Sequence, residues 1–170
     1  GFNGGSVLSA DPIMVSFVLT TTSLAAAAGI VGAMSASWLI QKRPDLSMVL
    51  NGCLAGLVGI TAGADCVSIR AAVTIGLICG AVAVVSVMAF DKIRIDDPVG
   101  ATTVHLVCGV LGTLFVGIFS PKYSFAVQLL GVVAYGAVCF PIALGLFLGL
   151  KKTVGIRVSQ EEELKGLDIG

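Results

Sequence analysis

His105 is the single histidine of the chain, and it stands inside a run from Pro98 to Ser120 that holds no charged residue. Seven residues after Pro98, it would lie about 10 Å into a helix at a rise of about 1.5 Å per residue. Ionisable groups at such depth in an apolar span line a cavity or pair with another polar group. Ala101 and Gly109 lie one helical turn away and Gly112 two turns away, so the face around the ring is small and apolar. A neutral imidazole there can exchange a hydrogen bond with a small polar solute in a pore. It can equally bond a carbonyl of a neighbouring helix, and both readings stay open. Metal ligation lacks donors: Cys108 stands at i+3, but nothing completes the pair. No metal and no cofactor is therefore expected. No GxSxG occurs, and His105 has no evident Ser or Asp partner, so the chain does not read as an enzyme. Asp96 and Asp97 precede Pro98 and read as caps of the helix it opens. Asn51, Thr61, Thr102 and Thr103 read as structural hydrogen-bonding groups. Of the five cysteines, all but Cys66 lie in apolar runs, where a thiol acts as a small apolar side chain.

The elements that must position these residues are membrane helices. In 170 residues, 56% are hydrophobic and only 12% charged. A soluble domain carries about 25% charged residues, so a water-facing surface cannot be built from this composition. Ten basic residues balance ten acidic ones, which leaves no basic field for nucleic acid. Uncharged runs cover Ile13–Ile40, Leu46–Ala64, Ala71–Phe90, Pro98–Ser120 and Tyr123–Leu150. About 20 apolar residues span a bilayer core, so the pattern predicts an all-α membrane protein with five transmembrane helices. Residues 1–12 read as an external segment, 13–150 as the five-helix region, and 151–170 as a cytoplasmic tail. GxxxG pairs at Gly52/Gly56, Gly59/Gly63, Gly76/Gly80 and Gly145/Gly149 predict faces for close helix approach. Pro141 predicts a kink in the fifth helix.

Orientation follows from lysine and arginine. One side would hold Lys42, Arg43, Lys92, Arg94, Lys151, Lys152, Arg157 and Lys165, and the other Arg70 and Lys122. The tail should therefore be cytoplasmic and the N-terminus outside. The first Met is Met14, and no basic leader precedes the first span. The chain is thus expected to be the C-terminal part of something longer.

Several stretches then line up, in order, with one family. GFNGGS at Gly1–Ser6, NGCLAGLVGITAGAD at Asn51–Asp65, DKIRIDDPVGATTVHLVCGVLGT at Asp91–Thr113 and VGIRVSQEEELKGLDIG at Val154–Gly170 resemble segments of ammonium transporters. The family is the ammonium transporter, methylammonium permease and Rhesus superfamily. The resemblance covers essentially the whole chain. It implies a homotrimer of eleven-helix subunits, each with its own pore. The five spans then correspond to the second inverted repeat plus the last helix.

The resemblance also implies roles. Phe2 is similar to one of two stacked phenylalanines that gate the external entrance, and Ser6 to the hydroxyl that helps recruit ammonium. His105 is similar to the second of a twin-histidine pair in the pore, and Ala101 would line the same channel. The implied substrate is ammonium or methylammonium, moved by recruitment, deprotonation and separate passage of amine and proton. An apolar pore suits this, because neutral ammonia enters it far more cheaply than a cation. Gly155, Arg157, Glu161, Gly166 and Asp168 would form a regulatory tail, with a signalling protein of the PII class as a possible partner beside the lipid bilayer itself. The first twin histidine, the vestibule's aromatic platform, the second gate phenylalanine and the aspartate supporting recruitment are absent. Leu19 replaces an Asn common in the family, and Ser68-Ile69-Arg70 replaces Ser-Pro-Trp. The alternative is a truncated, non-transporting membrane module that senses or scaffolds.

Overall fold

In the computed structural model, residues 1–166 are described, and nearly every element is helical. A one-turn helix α1 (Phe2–Gly5) precedes α2 (Pro12–Gln41), α3 (Leu46–Thr61) and α4 (Ile69–Lys92). A π-helical segment (Thr102–Val107) runs directly into α5 (Cys108–Phe119), followed by α6 (Phe125–Thr153) and the short α7 (Gln160–Lys165). Five long elements therefore stand where the uncharged runs placed them. Four of these, Pro12–Gln41, Ile69–Lys92, Thr102–Phe119 and Phe125–Thr153, are long and apolar enough to cross a membrane. The remaining one, α3, has 16 residues and is about 24 Å long at 1.5 Å per residue.

Short polar side chains start these helices by satisfying orphan N–H groups. Asp11 accepts from the N–H of Ile13 at 2.9 Å, with Pro12 fixed at the first helical position. Asp45 accepts from Met48 at 2.9 Å, and Ser68 accepts from Ala71 at 3.2 Å. The expected start at Pro98 is corrected: Pro98–Gly100 form a turn, and the helix begins at Ala101. Asp97 is nevertheless a cap, since its carboxylate accepts from the N–H groups of Thr102 at 2.9 Å and Thr103 at 3.0 Å.

The chain divides into two compact units, residues 1–130 and 131–170, with α6 running across the boundary. In the first, α2 packs against both α3 and α4, and α3 against α4 and α5. Its core is built of small side chains, among them Ala25, Ala55, Ala72, Cys79, Ala83 and Cys108. A Cβ on Gly29 or Gly80 would strike a carbonyl oxygen across the helix pair, that of Gly52 for Gly29 and that of Gly29 for Gly80. The backbones of α2, α3 and α4 meet almost directly, as expected for helices associating through small residues. The same holds for Gly52, Gly56 and Gly76. The second unit differs. A Cβ on Gly145 or Gly149 would meet open space, so that predicted pair touches no other helix among the described residues. Helix α6 continues unbroken through Pro141 and has no buried residue. In the tail, α7 begins with a reciprocal cap between Ser159 and Glu162, and Gly155 and Gly166 have φ of +79° and +85°.

Candidate functional site

His105 stands in the middle of the π-helical segment. In such a segment each N–H reaches the carbonyl five residues back rather than four, and the N–H of Cys108 does so to Thr103. The extra residue per turn rotates the side chains that follow relative to an α-helix. Single turns of this kind concentrate at functional sites. Because the helix starts at Ala101, His105 is four residues in, about 6 Å at an α-helical rise, and not the depth counted from Pro98. Neither ring nitrogen has a hydrogen bond among the described residues, and the residue is exposed. Among the described residues, a structural bond to a neighbouring helix carbonyl is thus not formed. Cys108 turns the other way: it is buried, and its thiol donates to the Cys79 carbonyl at 3.6 Å.

The ring instead lines a cleft of about 560 Å³. Its wall is mainly apolar and includes Phe2 and Gly4 of α1 together with Leu19, Leu57, Val58, Ala62 and Gly109. Thr61 and Thr113 also line it, but each spends its hydroxyl donor on its own helix, to Leu57 at 2.7 Å and Gly109 at 2.9 Å. Asn3 and Thr22 line it as well and bond to each other, and His105 is the ionisable side chain of this wall, with no hydrogen bond among the described residues. Phe2 is 78% exposed and faces this cleft from α1. That helix is tied to α2 by buried Asn3, which donates to the Thr22 hydroxyl at 3.1 Å. Sequence reasoning missed this tie, since nothing in GFN distinguishes an anchor from a loop residue.

Ser6 does not share the first cleft. It donates to the Phe2 carbonyl at 2.9 Å and lines an adjoining cleft of about 290 Å³ with Asn3, Val7, Met14, Val18, Thr61, Ala64 and Asp65. Ala101 lines neither of these clefts and is exposed at the helix start. Gly155, Arg157, Glu161 and Gly166 all lie in the exposed tail, while Asp168 lies outside the described residues. Arg157 pairs with Glu163 at 2.8 Å, and Glu161 pairs with Lys165 one turn on. The acidic run is the first turn of α7, where negative charge suits the helix dipole.

Three groups outside the spans are shifted, and of these Glu162 in the tail is lowered by the hydroxyl and N–H of Ser159. Desolvation pushes the Asp97 carboxyl up, but the N–H donors of Thr102 and Thr103 outweigh it, and it titrates below its ordinary value. Burial, then the neighbouring Asp65 carboxylate, push the Cys66 thiol up. Thr103 is fully buried, and its hydroxyl has no partner among the described residues. No cluster of three or more His, Cys, Asp or Glu side chains suited to a metal occurs among the described residues.

An apolar helical bundle with four helices long and apolar enough to cross a bilayer defines the class, a helical membrane protein. The sequence pattern of the Ammonium Transporter Family matches residues 1–170, and the chain belongs to that family. It is 42% identical to ammonium transporter Amt2 of Archaeoglobus fulgidus over 99% of its own length and 40% of that protein's. It superimposes on a protein named Sensor Amt Protein with a TM-score of 0.90 at 37% identity, covering 99% of this chain and 44% of that one. The Mep2 structure of Saccharomyces cerevisiae follows at a TM-score of 0.83 and 30% identity, covering 94% of this chain and 40% of that one. The chain thus spans about 40% of the length of the curated relative it matches.

Proposed function

We propose that this chain contributes to ammonium or methylammonium transport, as the C-terminal part of a longer transporter. The observation that carries the reading is His105, without a hydrogen bond among the described residues, in a mainly apolar cleft that Phe2 also lines. A cation loses its hydration on entering such a wall, and its neutral amine loses far less. The imidazole can accept from, or donate to, that amine. Phe2 then acts as the external gate and Ser6 as part of the recruitment site, and Ala101 extends the wall toward the other end of the pore. The five long helices, α3 included, cross the bilayer, with the N-terminus outside and the tail cytoplasmic as the basic residues require. The subunits assemble as a homotrimer. Gly155, Arg157, Glu161, Gly166 and Asp168 belong to a tail that regulates conduction, with a PII-type protein as its cytosolic partner.

A second reading is favoured by one observation, the likeness to a protein named as a sensor: the chain reports ammonium without conducting it. Uptake of radiolabelled methylammonium by cells expressing the transporter that carries this sequence separates the two. Saturable uptake above that of empty cells supports conduction. Its absence, with the protein present in the membrane, supports the sensor.

A further inference from the structure

Two thiols meet inside the bundle, and no role described so far uses them. Cys79 lies within α4, and Cys108 opens α5 where the π-helical segment ends. They are 29 positions apart in the chain, so no sequence spacing pairs them. Both are fully buried, and neither lines either cleft. The Cys108 thiol donates to the Cys79 carbonyl at 3.6 Å, and the two sulfurs are themselves hydrogen-bond partners. On the α3 side, Gly59 closes in the Cys79 sulfur: a Cβ there would stand 2.5 Å from it. The thiols of Cys53, Cys66 and Cys139 belong to residues that are partly or fully exposed. The pair is therefore a sheltered donor set of two soft sulfurs. Among the described residues no further His, Cys, Asp or Glu joins it to make a group of three. Zinc asks for four ligands and is not served. Soft thiolates select soft ions, and a soft d10 ion content with two sulfurs fits. Charge narrows the choice. Both helices lie in segments long and apolar enough to span a bilayer. Two thiolates around a monovalent ion would leave a net negative charge there, whereas a divalent ion leaves none and avoids that cost.

We propose that Cys79 and Cys108 form a two-sulfur site for a soft divalent d10 ion of the mercuric class, and that the bound ion clamps α4 to the start of α5. With mercuric chloride, two Hg–S bonds form while two Hg–Cl and two S–H bonds break. Two chloride ions and two protons leave, and no oxidation state changes. The neutral chloride reaches an apolar interior far more cheaply than a bare ion does. The clamp sits three residues past His105, at the end of the π-helical segment, so it fixes the segment that carries the imidazole and blocks conduction. Binding at the site is independent of the transport reading, and only the block rests on it.

The test uses the full transporter, purified in detergent, with every cysteine except these two replaced by alanine. Mercuric chloride is titrated in while thiolate-to-mercury absorption and released protons are followed, since metal binding to thiols frees their protons. The two-cysteine protein should take one mercury per chain and release two protons for each. Cys79→Ser and Cys108→Ser should each release one, and their half-saturation should rise by more than the roughly tenfold that even an outer-shell partner is worth. One proton per mercury in the two-cysteine protein, two mercury ions per chain, or no reaction in the folded protein overturns the proposal. This count needs no serine variant, so it decides even where a variant fails to fold. The block is read as methylammonium uptake at the mercury concentration that saturates the site. The two-cysteine transporter should lose uptake and the double variant Cys79→Ala/Cys108→Ala should keep its own, and equal loss in both overturns the block. Should the transporter not move methylammonium without mercury, the transport reading falls by itself and the proton count alone decides the site.

Discussion

At the scale of single residues, position separates side chains of the same type. Asp65 and Asp97 are both carboxylates at helix ends, yet one faces a cleft and the other closes a helix start. Asp97 carries a pH dependence of known sign. Its folded-state value is lowered, so its contribution is complete above the unfolded value near 3.9 and is lost as pH falls through the folded value. Asp97→Ala should therefore cost about 1 kcal/mol at pH 7, the usual worth of a helix cap. The difference should shrink progressively as pH falls below the unfolded value, read as melting temperature in detergent. His105 as a candidate was legible from its isolation in an uncharged run. That it hydrogen-bonds to none of the described residues was not legible, because that depends on the π-helical segment, for which no residue pattern in TTVHLV gives a signal.

At the scale of elements, the sequence set the limits of the helices closely, since charge and capping side chains end an apolar run sharply. The exception is the start of the helix carrying His105, where Asp97 caps from five residues upstream and Pro98 stays outside. Glycine spacing was a weaker guide. Gly76 and Gly80 face carbonyls of α2, whereas Gly145 and Gly149, with the same spacing, face open space. GxxxG marks a flat face but not what meets it. Gly80→Val should accordingly force α4 away from α2 and cost about 1–3 kcal/mol as an overpacked contact. Gly136→Ala, in open space on α6, should be neutral or slightly stabilising. Thermal unfolding of the two variants side by side checks this. In the tail, Gly155 adopts φ +79°, which a side chain tolerates poorly. Gly155→Asp should thus alter the tail and lower transport while surface expression persists, measured by uptake normalised to membrane protein.

At the scale of the whole molecule, the scarcity of charge identified a membrane protein, and the ordered motifs identified the family now matched along residues 1–170. Sidedness was read from eight basic residues against two, and it yields a direct expectation. A cysteine at Ser159→Cys, exposed at the start of α7, should resist an impermeant thiol reagent on intact cells and react after permeabilisation. Labelling from outside would reverse the topology. What one chain could not reveal by pattern is which of its polar groups share a cavity, because residues 2, 19, 57 and 105 come together only through packing. The central claim is that this cleft conducts and that His105 serves the passing amine. Its most direct test is stopped-flow recording of internal pH in proteoliposomes given an inward ammonium gradient, for wild type and His105→Ala at matched protein density. The account predicts that the variant folds and assembles but slows or changes the response. A loss of about tenfold is what one hydrogen bond to the solute, worth ~1.4 kcal/mol, would give. A variant with the wild-type rate and the same discrimination between ammonium and methylammonium would contradict it.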